Sequence, residues 1–332
     1  MILCFDGGGS KCRALLADDD FNLIGEGAGL GVNTNHTPYA QAVANMRGCV
    51  SQTMRGFNTV QDTVQGTVQD VVHTPRIDAA YLTVVGPLDE LARLLEPYHP
   101  GIIPMSEPEA ALWAGILVPR GYVALSGTGS DVFFVTDDER RLGSLGGWGL
   151  LLGDEGSGAW IGQQALRAVA RDMEDVGPRT KLTDMARDAL GVGSVWDLVR
   201  MMYGAPSYVR FFGEFTPRAA RAATDGDEVA LGLFREAGEH MARYMLKLRD
   251  RVRQGGTCVL SGGAWKAHPA MFDTFANRLA AEAPEINVRK PYFEPVMAGV
   301  SRELAKRHPD WDAEQRLEFL SQRFPSYRIN WI

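Results

Sequence analysis

The sequence predicts an α/β protein built from two lobes of like topology. Strand and helix patterns alternate along its 332 residues, and a 45% hydrophobic content is enough for about two cores at roughly 150 residues each. The stretches FDGGGSKCRALLADD (5–19) and LSGTGSDVFFVTDDE (125–139) also match in register. Gly7 falls on Gly127, Gly9 on Gly129, Ser10 on Ser130 and Asp18 on Asp138, at a constant offset of 120. Each is a strand, a Gly-rich turn and a second strand, so each lobe is expected to open on a hairpin whose turn faces a cleft between them.

The elements follow in order. Residues 1–6, 12–18 and 21–27 are short apolar runs parted by turn residues and read as three strands. Pro38 suits a first helical turn and opens a helix over 38–54. AAYLTVVG (79–86) and GIIPMS (101–106) read as strands, with helices over 87–96 and 107–117. TVQDTVQGTVQD (59–70) repeats a four-residue unit, but a period near one helical turn in β-branched residues builds no repeat architecture. It reads as a helix extension or an exposed loop. A second lobe opens near 118, where YVALSG, DVFFVTD and RLGSLGG read as three strands. Helical segments occupy 154–253, and a strand, helix, strand and helix occupy 256–306.

Charge and cysteine usage narrow the function. With 34 Lys plus Arg against 41 Asp plus Glu the net charge is −7, and no basic cluster stands out. A nucleic-acid partner and an anionic membrane patch are therefore not expected, and a small-molecule partner is. No apolar run has the length of a membrane span and MILCFD lacks the form of a signal peptide, so a cytoplasmic location is expected. Cys4, Cys12, Cys49 and Cys258 show no C-x-x-C spacing and read as ordinary thiols.

Four Gly-rich stretches carry the chemistry. The turns at Gly7–Ser10 and Gly127–Ser130 each offer what a phosphate needs: glycines that let backbone approach, successive N–H donors and a hydroxyl. Either alone could be an ordinary glycine hairpin; two in register are less ordinary. GGGSK is no P-loop, because an apolar strand and not a helix follows Lys11. In VLSGGAWKAHPAMF (259–272), Gly262 and Gly263 stand between a strand and a helix, where a flat ring can lie against bare backbone. In LGGWGLLLGDEGSGAWIGQQAL (145–166), glycines surround Trp148 and the acids Asp154 and Glu155, as in a loop that folds over a ligand. The plainer reading of Asp154 is a helix-start residue favoured by the dipole.

In order and across nearly the whole chain, these motifs resemble the N-acetylglucosamine kinase branch of the BadF/BadG/BcrA/BcrD ATPases. That family lies within the ribonuclease-H-like actin, Hsp70 and sugar-kinase superfold. FDGGGSK is similar to its first phosphate motif, LSGTGS to its second, GGWGLLLGDEGS to its sugar loop and VLSGGAW to its adenosine motif. EPVMAGVSREL (294–304) is similar to its closing helix, after which the chain returns to the first lobe. The resemblance thus implies lobes at 1–117 with 305–332 and at 118–304.

It also implies ATP and Mg²⁺ as cofactors, a hexose or amino-hexose acceptor such as N-acetylglucosamine or glucosamine, and a homodimer. Asp6 would hold Mg²⁺ through water. Gly8, Gly9, Ser10, Lys11, Gly127, Thr128 and Gly129 would grip the phosphates, and Gly262 and Gly263 would flank adenosine. Asn33 and Asp154 fall on the family's sugar-binding asparagine and aspartate, with Gly147, Trp148 and Glu155 beside them. An amide donates and accepts, and a carboxylate accepts from neighbouring hydroxyls, so both suit a sugar. The plainer reading of Asn33 is a turn residue, and Asn35 ranks second as the sugar-binding asparagine.

SEPEAALWAG, residues 106–115, departs from the family, which has an aspartate as catalytic base where this chain has Glu107. Ser106 and Glu109 match an S-x-x-E capping box, which accounts for Glu109. With Pro108 as the first helical residue, Glu107 is expected at the cap, its carboxylate available for catalysis. A non-catalytic sugar or nucleotide sensor is the second reading. An ATPase activator of the BadF type ranks third, since the second lobe has only Cys258 for an iron–sulfur cluster.

Overall fold

The computed structural model describes residues 1–64, 76–98, 100–137 and 141–331. Contacts divide the chain into two compact units, Met1–Pro119 with Lys290–Asn330, and Arg120–Arg289 with Trp331. The described residues form ten strands and twelve α-helices.

In the first unit, β1 (Ile2–Gly7), β2 (Lys11–Ala17) and β3 (Leu23–Leu30) make an antiparallel meander. β4 (Ala79–Val84) and β5 (Gly101–Pro104) add to it in parallel, giving the order β3-β2-β1-β4-β5. Side chains in a strand alternate between faces, and both faces of β1 are covered. Leu3 and Phe5 meet Met46 and Cys49 of α1 (Tyr39–Val64) and Leu91 of α2 (Leu88–Leu95). Ile2 and Cys4 meet Trp113 of α3 (Glu107–Gly115) and the helices of the returning chain. That is why β1 reads as a continuous apolar run.

The second unit repeats the plan. β6 (Gly121–Ser126), β7 (Ser130–Val135) and β8 (Arg141–Gly146) form the meander, and β9 (Gly256–Ser261) and β10 (Ile286–Arg289) add in parallel, in the order β10-β9-β6-β7-β8. The excursion between β8 and β9 is helical, from α4 (Gly158–Met173) through α9 (Glu228–Val252), and α10 (Pro269–Glu282) links the last two strands. Phe234, Met241 and Met245 of α9 and Ile161 of α4 pack with Phe134 and Tyr122 in one core.

Three details differ from the sequence reading. The helix opened by Pro38 runs on to Val64, into the TVQD repeat, whose residues 65–70 lie outside the described residues, as does Asp138. The return to the first unit starts at Lys290 and not at 305. Its helices α11 (Ala298–Arg307) and α12 (Ala313–Arg323) supply Val300, Leu304 and Leu320 to the core on Ile2 and Cys4, so the segment before 305 is already committed. The two hairpins close differently despite their matched glycines. Gly7 pairs with Cys12 around Gly8–Lys11, whereas Ser126 pairs with Ser130 around Gly127–Gly129.

α11 reaches the sheet because Gly299 lets it. A Cβ there would stand 2.4 Å from Tyr81 Cβ and 2.6 Å from Cys4 Sγ. Overpacking at such a contact costs about 1–3 kcal/mol. Gly299→Val should therefore lower the thermal midpoint by several degrees in a circular-dichroism melt; an unchanged midpoint would mean that α11 does not bear on β1 and β4.

Candidate functional site

In the first unit the site begins where β1 ends. Gly8 N–H donates to Lys11 carbonyl at 3.1 Å and closes the turn, while Gly8 carbonyl accepts from Val32 N–H at 2.9 Å and Asn33 N–H at 3.2 Å. The loop after β3 is thereby seated under the turn. Gly31 makes this possible, since a Cβ on it would lie 2.1 Å from Gly9 carbonyl oxygen. Beside Gly8 the space is open, with nothing within 4 Å of a Cβ placed there. Ser10 is exposed. Asn33 is held beside these residues, and its Oδ1 accepts from Asn35 N–H at 2.9 Å, so it does the work of a turn residue too.

The cations of this hairpin already have partners. Lys11 Nζ is 3.7 Å from Glu294 Oε2, and Arg13 Nη1 donates to the same oxygen at 2.6 Å. Arg13 lies over the Tyr327 ring, and Tyr327 donates to Glu26 at 2.7 Å. Glu294 and Tyr327 belong to the returning segment, which sequence reading did not connect with the turn.

Asp6, half-buried on β1, feels two carboxylates. Burial first, and the charge of Glu107 second, push its pKa from 3.8 to about 7, against the weaker pull of Lys11. Glu107 remains accessible to solvent, but the protein around it desolvates its carboxyl and raises its pKa as well. The helix start differs from expectation: Ser106 is the cap, Glu107 is the first helical residue and Pro108 the second. The capping box decides this, because Glu109 Oε2 accepts from Ser106 N–H at 2.6 Å and from its hydroxyl at 2.7 Å. Glu109 is thus occupied by the helix, whereas Glu107 faces Asp6 electrostatically.

In the second unit, the β6–β7 turn closes with Gly127 N–H donating to Gly129 carbonyl at 2.9 Å. Gly262, at φ +100°, presses against it, and a Cβ there would stand 2.2 Å from Ser126 carbonyl oxygen. Gly158 N–H, at the start of α4, donates to Gly127 carbonyl at 2.9 Å. The second phosphate-like turn, Gly262 and Gly263 and the loop before α4 are therefore one assembly, with Thr128 at its tip. The Ser130 hydroxyl does not belong to it as a ligand group, since it donates to Glu155 carbonyl at 2.9 Å.

That loop is the acid-bearing one. Gly146, Gly147 and Gly149 all take positive φ, and Gly147 lies against Asp131, which sequence reading passed over. Trp148 is 73% exposed, with Leu151 and Leu152 exposed nearby. Asp154 is buried at φ +58°, and its Oδ2 would be 2.8 Å from a Cβ on Gly129. It does not start α4; Ser157 caps that helix, its Oγ accepting from Trp160 N–H at 3.1 Å. Glu155 Oε2 accepts from Tyr244 hydroxyl of α9 at 2.8 Å.

The family model for the BadF/BadG/BcrA/BcrD ATPases matches residues 4–300. The chain belongs to that family. It is 23% identical over 290 residues to an N-acetylmuramic acid/N-acetylglucosamine kinase of Clostridium acetobutylicum, covering 86% of this chain and 92% of that one. An N-acetyl-D-glucosamine kinase of Dictyostelium discoideum is 36% identical over 184 residues, 53% of this chain and 57% of its own length. Among solved structures, a Chromobacterium violaceum protein named provisionally as an N-acetylglucosamine kinase superposes with a TM-score of 0.64 at 21% identity, over 90% of this chain and 97% of that one. A ROK family glucokinase of Streptomyces griseus gives 0.53 at 14% identity, over 92% and 99%. These likenesses show the actin, Hsp70 and sugar-kinase fold. No described helix is long and apolar enough to cross a membrane.

Asp6 gives the site a pH signature. Its pKa is about 7 folded and 3.8 unfolded, so between these values the native state holds the extra proton. The stability present below pH 3.8 is lost as pH rises through about 7. Without divalent cations, the thermal midpoint of the parent should fall more between pH 5 and pH 8 than that of Asp6→Asn, on the order of a few degrees. Parallel profiles would show that Asp6 does not titrate there.

Proposed function

We propose that this chain transfers a phosphoryl group from Mg·ATP to a hydroxyl of an amino-hexose, with N-acetylglucosamine and glucosamine as the first acceptors to test. The observation that carries the reading is the Glu107 carboxylate. It is accessible, raised in pKa and set at the start of α3 near Asp6, while its neighbour Glu109 is consumed by the cap. A base with a raised pKa accepts a hydroxyl proton more readily at neutral pH. The acceptor class comes from the names of the relatives.

The groups present fit the cofactors. Asp6, with a second carboxylate near it, suits a hydrated cation, and the open backbone at Gly8 and Gly263 suits phosphate and adenosine. Mg·ATP, when bound, supplies the phosphoryl group and the cation that offsets its charge. In the first unit, Asp6 would hold Mg²⁺ through water; Gly8, Gly9, Ser10 and Lys11 would hold phosphate, Lys11 by exchanging Glu294 for it. In the second, Gly127, Thr128 and Gly129 would hold phosphate and Gly262 and Gly263 adenosine. Asn33, Gly147, Trp148, Asp154 and Glu155 would bind the sugar, and Glu107 would take the proton of the attacking hydroxyl. A homodimer and a cytoplasmic location belong to the same reading.

Two measurements test it. A coupled ADP-release assay over glucosamine, N-acetylglucosamine, N-acetylmannosamine, N-acetylmuramic acid and glucose should find turnover on at least one amino sugar. Glu107→Gln should then lose about a hundredfold or more in kcat while still binding both ligands. Binding of sugar and ATP by the parent with no turnover on any acceptor would favour a sensor; full activity in Glu107→Gln would remove the base. Separately, Mg·ATP at about a hundredfold over Kd should stabilise the native protein by about 2.7 kcal/mol. Gly129→Val, whose side chain would strike Asp154, should abolish that shift. A shift surviving in the variant would place the nucleotide elsewhere.

A further inference from the structure

The acid pair of the loop before α4 is held from two directions. Its backbone is tied to the β6–β7 hairpin through Ser130 hydroxyl to Glu155 carbonyl and Gly158 N–H to Gly127 carbonyl. The Glu155 side chain is tied separately, by the Tyr244 hydroxyl at 2.8 Å. Tyr244 stands on α9 between Met241 and Met245, both fully buried in the core of the second unit. The phenol is thus carried on a helix packed into the core, and its hydroxyl donates a hydrogen bond from this helix to the loop's glutamate, whose charge His240 of the same helix also feels.

We infer that Tyr244 is a positioning residue that aims the Glu155 carboxylate at the acceptor sugar. The inference rests on the reading of Glu155 as a substrate-binding residue. A phenol suits the task better than a cation does. It donates one hydrogen bond to one carboxylate oxygen and fixes its direction, yet it leaves the negative charge and the other oxygen able to accept from a sugar hydroxyl. A guanidinium could engage both oxygens. Arg243, next to Tyr244 in the helix, turns instead to His240 Nδ1 at 3.1 Å, and the His240 ring meets Trp160 edge-on at 5.2 Å. Desolvation, the bond to Glu155 and the charges of Glu155 and Asp154 push the phenol up to about 12, so it remains a donor throughout the neutral range. The Asp154 contribution also sets Tyr244 near both members of the pair.

The test is a cycle of Tyr244→Phe, Glu155→Gln and the double variant, assayed with N-acetylglucosamine and ATP and, for binding alone, by titration calorimetry with N-acetylglucosamine. Phenylalanine keeps the ring in the core, so the thermal midpoint should stay within a few degrees of the parent. Tyr244→Phe should raise KM and Kd for the sugar about tenfold, with kcat and KM for ATP within about twofold, the loss expected when one orienting hydrogen bond to a charged group is removed. Glu155→Gln should raise the sugar KM by itself, and the double variant should be no worse than Glu155→Gln, because Tyr244 acts through that carboxylate. Unchanged sugar KM and Kd in Tyr244→Phe, alongside a defect in Glu155→Gln, would overturn the inference and leave Tyr244 a packing residue. Effects that multiply in the double variant would overturn it too. If Glu155→Gln alone binds and turns over sugar like the parent, the assignment of Glu155 fails and the inference with it.

Discussion

At the head of each sheet one peptide group lies against another with no room for a side chain between them, and the candidate site is arranged around that contact. In the first unit it is Gly31 under Gly9. The approach lets Gly8 carbonyl accept from Val32 and Asn33 N–H, which delivers Asn33 to the base of the turn. In the second it is Gly262 against the Ser126–Gly127 peptide. There the end of β9 and the start of α4 converge on the same turn, through Gly158 N–H to Gly127 carbonyl. A methyl group at either glycine would push these strands apart, since nothing in the facing backbone can rotate away as a side chain could.

Charge is distributed on this frame unevenly. Asp6 and Glu107 are like charges held near each other, and burial makes their ionisation dearer still, so the unliganded protein keeps a proton there near neutrality. The positive groups of the same hairpin are drawn to Glu294, where Lys11 and Arg13 share one carboxylate oxygen. An anion arriving at the turn would compete with Glu294 for Lys11, whose side chain is 67% exposed and free to reorient, while Arg13 stays anchored by Tyr327 stacking. The site is therefore poor in committed positive charge and rich in backbone donors, an arrangement suited to a ligand that brings its own cation.

The loop before α4 uses strain of a different kind. Asp154 is a non-glycine residue at φ +58°, in the left-handed region, and buried with its carboxylate over Gly129. Such a conformation costs about 1–3 kcal/mol and persists only where surrounding bonds over-determine it. Here Ser157 N–H to Asp154 carbonyl, Ser130 hydroxyl to Glu155 carbonyl and Tyr244 hydroxyl to Glu155 carboxylate do so. Strained backbone kept by that many bonds in an acid pair fits a binding role better than a helix-start role.

What local sequence determined is the order of elements and the location of the chemistry. Near-continuous apolar runs mark β1, β2, β6 and β7 because each strand is covered on both faces, and closely spaced glycines mark the turns because few other residues permit them. The S-x-x-E pattern at Ser106 forecast the capping box for the same reason: its partners are three residues apart and need nothing from the rest of the chain. Tertiary structure decided what depends on distant residues. The capping box overrode the local preference around Pro108 and moved Glu107 from the cap into the helix. The two matched glycine turns closed in different registers, because hairpin register follows loop length and turn geometry, which matched glycines alone do not fix. Glu294 reached Lys11 and Arg13, and Tyr244 reached Glu155, across separations of 283, 281 and 89 residues that no periodicity encodes. A polar contact between residues that far apart exists only once the chain has folded to bring them together, so single-sequence pattern could name the charged groups but not their partners.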